Sequence, residues 1–489
     1  MNADFKLKPI RDKVIEDAIG PERIIKVNDM IRSVKLWTNN EMLTILKRYS
    51  TVPVRQEVNL KNTIWDAERM TQFLLIIYQI SFPSALIGDS NVANLMSWIT
   101  GQQMASEKTK KGKVVYPPLL KYRFINWLKH LSCEREKRHV VQRVTNQVVE
   151  YMHSVVNFCF KTIRRKDSTA FVPKQQFRYL EQVCFDDYEK RCALKPVHED
   201  TSNFELKILA IGSTLRPIVM DPTKSKEKRR RDKLHLAALL YHATRFGVSS
   251  QTLAQCAKKI ADFSTKSKDQ IFYLKSDVFK FFPSIDQKEL ITLLSNVVQG
   301  ECVVMTLECD KIVNGRKYLL VKHRAGADLA EAKAALEASF NGRTPVMINK
   351  KFTPANVSRK SLMNILVSEI RHTVKYKGQV YKVGRGVGQG CMFSSLLGDI
   401  YLHERMRRIA PINPRDALLL CYADDFILLS HLRHIVAKFH DGILQEDMGI
   451  RGSREKTITN LNDDDRRILH WCGLTFHTAR FALIKKKKK

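Results

Sequence analysis

The sequence predicts an α+β protein, with an all-α N-terminal part followed by a mixed α/β remainder. Three observations carry this. First, "PLLKYRFINWLKHL" (118–131) and "VVEYMHSVVNFCFKTI" (148–163) place apolar residues three to four apart, the spacing of an amphipathic helix. Second, from about residue 200 short β-like runs alternate with helical stretches. "IFYLKSDVF" (271–279) is one such run, and "VKYKGQVYKV" (374–383) folds back at Lys377-Gly378. The Asn314-Gly315 dipeptide between "CVVMTL" and "KYLLVKH" marks a further hairpin. Third, 44% hydrophobic and 27% charged residues over 489 positions suit several packed cores and not a disordered chain.

Charge then narrows the partners. Lys and Arg number 83 against 50 acidic residues, a formal charge of +33. That excess points to a polyanion, nucleic acid in preference to a membrane. The longest apolar run, "FLLIIYQISF" (73–82), is too short to span a bilayer, and "MNADFKLKPIRDK" lacks the apolar core of a signal peptide. Ten scattered cysteines without a CxxC pair predict reduced thiols in a cytosolic or nuclear compartment. The basic runs "KEKRRRDK" (226–233) and "KKKKK" (485–489) read as solvated surface, nuclear-import signals or direct phosphate contacts.

The chemistry is concentrated in "LLLCYADDFILLS" (418–430), where Asp424 and Asp425 stand between two apolar runs. Buried neighbouring carboxylates raise each other's pKa, and desolvation raises both. Side chains alternate along a strand, so the pair can serve one site only at a tight turn between two strands. A third carboxylate, Asp277, ends the apolar stretch of "FYLKSDVFKFFPSID" (272–286). Three carboxylates converging on divalent ions is the arrangement of two-metal phosphoryl transfer, and magnesium would answer the charge problem. The glycine-rich "GRGVGQG" (384–390) lacks the third glycine of GxGxxG in register and does not follow a βαβ start, so a dinucleotide site is set aside.

Together these segments resemble the ordered motifs of a reverse transcriptase palm. Motif A falls at Asp277, motif B in "GVGQGCMFSSLLGDIYL" (386–402) and motif C in "YADD" (422–425). "LRPIVMD" (215–221), the long gap from Asp277 to Gln389, "REKT" (454–457) and "WCGLTF" (471–476) narrow the resemblance to the telomerase reverse transcriptase family. "VVNFCFKTIRRKDSTAFVPKQQFRYL" (155–180) is loosely similar to that family's T motif, a helix and hairpin closing its RNA-binding domain. The resemblance implies residues 1–195 as a helical telomerase RNA-binding-like domain, 196–478 as reverse transcriptase fingers and palm with 301–373 inserted in the fingers, and 479–489 as a basic tail.

The roles it implies are residue by residue. Asp277, Asp424 and Asp425, with the Val278 backbone oxygen, would bind two Mg²⁺ ions. Phe282 would lie under the incoming sugar and favour deoxynucleotides, Arg216 would hold the triphosphate, and Lys456 would protonate the leaving pyrophosphate. Gln389 and Gly390 would lie against the nascent base pair and template, while Trp471, Cys472 and Gly473 would grip the primer 3′ end. The implied partners are a template RNA, a single-stranded telomeric DNA 3′ end, dNTPs and accessory telomere proteins, with no membrane, in the nucleus at chromosome ends.

Departures from the family pattern are also legible. Ala423 stands where a bulkier residue is common, Gly388 where proline is usual and Ser453 near the usual asparagine. Ile211 replaces the fingers lysine, leaving Lys207 or a lysine of 224–233 to supply that charge. The chain ends soon after Phe476, so it is expected to be thumbless, as are the reduced telomerase subunits of nematodes. Two other readings stay open: another thumbless reverse transcriptase of a retroelement or bacterial defence system, and a non-catalytic RNA-binding scaffold that keeps a polymerase fold.

Overall fold

A computed structural model describes residues 60–83, 86–104, 120–129, 133–164, 169–198, 202, 204–212, 214–222, 225–248, 252–265, 270–313, 316–340, 347–409, 413, 415–445, 449–461, 468–477 and 482–483. The N-terminal stretch, the Asn314-Gly315 dipeptide and the terminal lysines lie outside them. The chain divides into two compact units, Met1–Phe185 with Ile208–Arg216 and Asp186–Lys207 with Pro217–Lys489. The sequence reading drew its boundary after residue 195.

The first unit contains α1 (Leu60–Thr63), α2 (Ala67–Ser81), α3 (Asp89–Met104), α4 (Glu134–Cys159), the hairpin β1 (Phe160–Arg164) and β2 (Thr169–Pro173), and the start of α5 (Lys174–Cys192). Asp66 caps α2 by accepting from the Arg69 N–H at 2.8 Å. Phe73, Leu74 and Ile77 of α2 meet Val148, Met152 and Val155 of α4 in one core, at the spacing a buried helix face requires.

Two expectations need correction here. The N-terminal part is not all-α, because the helix predicted over 148–163 stops at Cys159 and the chain continues as β1. Phe160 leaves the helix to set its ring 4.8 Å from that of Trp65, and Thr162 and Ile163, β-branched and better suited to a strand, pair with Phe171 and Ala170. The helix predicted over 118–131 is, among the described residues, two short 3₁₀ turns, Tyr122–Phe124 and Asn126–Leu128. The buried Asn91 amide accepts from the Lys121 N–H and donates to its carbonyl, at 2.9 and 3.2 Å, which holds the chain out of a helix.

Five described strands make one sheet: β3 (Lys195–Val197), β4 (Phe204–Ile211), β5 (Thr214–Met220) and, further along the chain, the hairpin strands 373–376 and 379–382. Between them come α6 (Lys226–Arg245), α7 (Leu253–Ser264), β6 (Phe272–Asp277), α8 (Phe281–Ser284), α9 (Gln287–Val297), β7 (Cys302–Val313), β8 (Arg316–Gly326), α10 (Leu329–Ala338), β9 (Met347–Val357) and α11 (Arg359–Ile370). The hairpin strands are then β10 (Thr373–Tyr376) and β11 (Gln379–Lys382), and their turn has φ of +47° at Lys377 and +93° at Gly378, the two left-handed residues a type I′ turn needs. The sheet order is β3-β11-β10-β4-β5. A separate three-stranded sheet, β8-β7-β9, fills the long gap between motifs A and B, with α10 packed on it through Met305, Leu307, Ala332 and Leu336. The basic run in α6 is only partly solvated. Lys228 pairs with Asp221 at 2.7 Å and Arg230 with Glu308 at 3.1 Å.

A second helix-and-sheet layer follows: α12 (Ser394–Ile409), β12 (Ala417–Tyr422), β13 (Asp425–Ser430), α13 (Arg433–Leu444) and β14 (Ile458–Thr459). Its sheet order is β12-β13-β6-β14. Alternation assigns the faces. Leu274, Val278, Phe426 and Leu428 join Leu397, Ile400, Val436 and Phe439 of α12 and α13. Tyr273, Ile427 and Leu429 point the other way, into a core shared with α7 and the hairpin β15 (Ile468–Trp471) and β16 (Leu474–His477). A last short strand, β17 (Ala482–Leu483), borders β16.

Asp399, on α12, is an expense within this packing: burial pushes its carboxyl up to about 6. A raised folded-state pKa gives stability that is complete below the ordinary carboxylate range and lost as pH rises through about 6. Asp399→Asn should therefore raise the melting temperature at pH 8, by ~1–2 kcal/mol of stability, with the gain vanishing toward pH 4. Melting curves across that range check it, and an equal gain at both ends would contradict the assignment.

Candidate active site

The three aspartates come together through strand register. β6 and β13 are antiparallel, with Asp277 directly opposite Asp425, and the Val278 N–H donates to the Asp424 carbonyl at 2.9 Å. The bonded pair at 278/424 makes 277/425 the non-bonded kind, whose side chains stand closest. β12 and β13 close on each other at Tyr422 and Asp425, so Ala423 and Asp424 form a two-residue turn. Ala423 carries a φ of +53° there. A bulkier or β-branched residue would hold that left-handed geometry less well, which gives the alanine of YADD a local reason. Asp277, Lys275 and Tyr273 alternate onto one sheet face, as do Asp425, Ile427 and Leu429.

Electrostatics follow from the clustering. Asp277 is 7% exposed, and its Oδ1 is buried without a hydrogen-bond partner. Its Oδ2 accepts from the Lys456 ammonium at 2.5 Å. Desolvation, then the charges of Asp424 and Asp277, raise the Asp425 carboxyl above its ordinary range, while Lys275 and a Cys472 hydrogen bond pull it back. Like charges gathered at one strand end repel, and the sheet accepts that cost where β13 begins.

The "WCG" hairpin abuts the same site. Trp471 is 1% exposed and packs with Tyr273, Leu420 and Ile427. Cys472 and Gly473 turn the chain with φ of +47° and +81°, and the Cys472 thiol donates to Asp425 Oδ2 at 3.7 Å. Burial and the Asp425 charge push that thiol up to about 12, so it stays protonated as a donor. The resemblance placed Cys472 in the primer grip but gave no sign that it touches motif C. Lys275 was equally unforeseen, although alternation from Asp277 could have found it.

The loop bearing Lys456 is tied to motif A by backbone bonds. The Phe279 N–H donates to Arg451 O and the Ser453 N–H to Asp277 O, both at 2.8 Å. Val278 bridges Gly452 between them, and its own carbonyl makes neither bond. Phe282, half-buried, sits on the one-turn α8; its ring edge lies near Gly398 of α12, where the missing side chain makes room for the ring of its neighbour Phe281.

Motif B is shaped by protein contacts. Gln389 O accepts from the Val219 N–H at 2.7 Å. A Cβ on Gly390, whose φ is +105°, would lie 2.7 Å from Val219 O, and one on Gly388 would press Val219 Cβ at 3.0 Å. The glycines expected to admit a template thus first admit strand β5. Lys207 is engaged by Glu205 at 3.1 Å, and Arg216 is exposed on the segment of β5 that belongs to the first unit.

Whether these residues suit a divalent cation can be judged from the donors. As the side chains stand, no three His, Cys, Asp or Glu groups among the described residues form a ready metal-binding set. The orphaned Asp277 Oδ1 and the raised Asp425 carboxyl nevertheless show an acidic cluster short of positive charge, with Lys456 answering one oxygen of it. The donor set is hard oxygen, which suits Mg²⁺. No helix of the described residues is long and apolar enough to cross a membrane.

A palm sheet with paired carboxylates at a strand end and at the adjoining hairpin tip, covered by helices on one face, defines a polymerase fold of reverse transcriptase type. Comparison with known proteins agrees. No family model matches the chain. It is 23% identical over 246 residues to telomerase reverse transcriptase of Canis lupus familiaris, covering 43% of this chain and 21% of that protein. It is 21% identical over 245 residues to that of Rattus norvegicus, covering 44% and 22%. The matched region thus spans about a fifth of these relatives' length. Among solved structures, the fold is similar to telomerase from Candida albicans in complex with a TWJ fragment of telomeric RNA, with TM-score 0.64, 14% identity and coverage of 98% of this chain and 74% of that one. Telomerase from Candida tropicalis truncated from its C-terminal domain gives a TM-score of 0.58 at 15% identity, over 99% of this chain and 97% of that one. By sequence over part of its length, and by fold over nearly all of it, the chain is similar to telomerase reverse transcriptases.

Proposed function

We propose that the chain is an RNA-directed DNA polymerase of telomerase type, extending a single-stranded chromosome 3′ end by copying a bound RNA template in the nucleus. The observation that carries the reading is the register that sets Asp277 against Asp425 with Asp424 at the hairpin tip. A charge of +33 supports a polyanionic partner, and the Candida albicans structure holds a relative of this fold with telomeric RNA.

Two Mg²⁺ ions held by Asp277, Asp424, Asp425 and the Val278 carbonyl would lower the pKa of the attacking hydroxyl and stabilise the charge that develops on phosphate. The chain's own residues supply position. Trp471, Cys472 and Gly473 hold the primer end beside Asp425, and Gln389 and Gly390 face the nascent pair. Arg216 and Lys207 bind the triphosphate, Lys207 by exchanging Glu205 for phosphate. Lys456 has two tasks, as counter-ion to Asp277 in the structure and as the proton donor to pyrophosphate during turnover. Accessory telomere proteins complete the assembly.

Phe282 sets sugar choice by occupying the space a 2′-hydroxyl would need. Phe282→Ala should raise ribonucleotide incorporation relative to deoxynucleotide by roughly tenfold or more, measured as the ratio of kcat/KM values. An unchanged ratio would return Phe282 to a packing role. The proposal as a whole is tested by primer extension with RNA and DNA templates, wild type against Asp424→Ala. Wild-type incorporation that survives in Asp424→Ala removes the metal assignment, and a wild type that binds RNA without incorporating any dNTP leaves a scaffold. Sequencing the RNA that copurifies tests the telomerase type, which requires one small species complementary to the chromosome-end repeat.

A further inference from the structure

The turn that carries Phe282 does not hold itself. α8 is a four-residue helix, Phe281–Ser284, and its Pro283 has no N–H to give. The last four carbonyls of any helix lack partners within it, so a single turn leaves most of its acceptors open. The segment that opens motif B fills them. The Val387 N–H donates to Phe282 O at 3.0 Å, the Gly386 N–H to Ile285 O at 2.9 Å and the Arg385 guanidinium to Ser284 O at 3.3 Å. Residues 385, 386 and 387 thus fasten the turn along its whole length.

Two residues make this fit possible. Gly386 has a φ of +84°, and a Cβ there would lie 2.8 Å from Phe282 O, 2.8 Å from Pro283 Cα and 3.1 Å from Pro283 O. These neighbours are backbone atoms, which have no rotamer to yield with, so a side chain at this position fits only if α8 moves. Gln287, the first residue of α9, is 8% exposed. Its side-chain amide donates to Gly386 O at 2.9 Å and to Ile370 O, at the end of α11, at 3.0 Å, with Val383 O at 3.4 Å. Gly386 is therefore fixed through its N–H by Ile285 and through its carbonyl by Gln287.

We infer that Gly386 and Gln287 are positioning residues for sugar selection. They hold the motif B backbone against α8, and that backbone fixes where the Phe282 ring stands. The ring is half-buried, and the tight contact at Gly398 belongs to Phe281, so the backbone bonds set its place. The inference rests on the proposed role of Phe282 beneath the incoming sugar. A ring excludes a 2′-hydroxyl only while it occupies that space, and a displacement on the order of 1 Å spoils the exclusion.

Two readouts on the full chain test it, with Gly386→Ala and Gln287→Met compared to wild type. Gln287→Met keeps the side chain's length and removes its donors, and it carries the test should Gly386→Ala fail to fold. Gly378→Ala is the control. It too places a side chain on a left-handed glycine, with a φ of +93°, but nothing lies within 4 Å of its Cβ. The first readout is the fluorine resonance of para-fluorophenylalanine placed at position 282, recorded without substrate. The second is the ratio of kcat/KM for deoxynucleotide over ribonucleotide, with Phe282→Ala measured alongside. Both variants should shift the resonance and lower the ratio roughly fivefold or more, while Gly378→Ala alters neither. A resonance that both variants leave unmoved overturns the proposal. So does a shifted resonance with an unchanged ratio when Phe282→Ala lowers that ratio. A ratio that Phe282→Ala itself leaves unchanged overturns the sugar role of Phe282 and of both positioning residues together, and a resonance that still shifts tells that failure apart from a failure of the clamp.

Discussion

Replacing Asp425 with asparagine should abolish nucleotide incorporation and, without divalent cations at neutral pH, make the protein more stable. The two effects share one cause. Asp425 is half-buried, faces Asp277 across the ladder and follows Asp424, so its negative charge is disfavoured in the folded chain. Asparagine keeps the volume and can still accept from the Cys472 thiol through its carbonyl oxygen. It removes the like charge, so the melting temperature should rise. The same change takes away one anionic donor, and incorporation should fall on the order of 10³-fold or more. Primer extension and thermal melting on one preparation check both halves. Near-normal incorporation would show that Asp425 is not at the chemistry, while loss of activity with a lower melting temperature would show that the carboxylate holds the hairpin.

Trp471→Ala should have the largest effect on stability of any single change near the site, about 3–5 kcal/mol. The indole is fully enclosed by Tyr273, Leu420, Ile427, Leu469 and Phe476, which join the palm sheet to the "WCG" hairpin. Removing it leaves a cavity on the sheet face that ends in Asp277 and Asp425, and frees the Cys472-Gly473 turn. Activity should drop with stability, and Trp471→Phe should recover most of both. Chemical denaturation alongside primer extension separates the two readouts. A loss under 1 kcal/mol would mean that the hairpin is not part of this core.

Much of the site was legible because local rules decide it. YADD between two apolar runs forces a hairpin, as only a two-residue turn lets neighbouring aspartates serve one place. Lys377-Gly378 and Cys472-Gly473 are turns for the same local reason, their left-handed φ values. The errors were local propensities overruled from a distance. Helical spacing continued through residue 163, but Trp65 and the pairing of β1 with β2 ended the helix at Cys159. Helical spacing over 118–131 gave way to the amide of Asn91. The basic run at 226–233 looked solvated because nothing nearby in the chain announced Glu308 as a partner.

The sequence by itself determined the chemistry available: three aspartates in the order of a palm, the hairpin that carries two of them, the glycines that permit close approach and a strongly basic charge. Tertiary structure alone decided which groups meet. Strand register set Asp277 against Asp425, and packing brought Lys456 and Cys472 to their oxygens and the motif B backbone to the carbonyls around Phe282. The reason is that turn and strand preferences act between near neighbours and are written residue by residue, whereas contacts between distant segments depend on how whole faces pack, which no short stretch encodes.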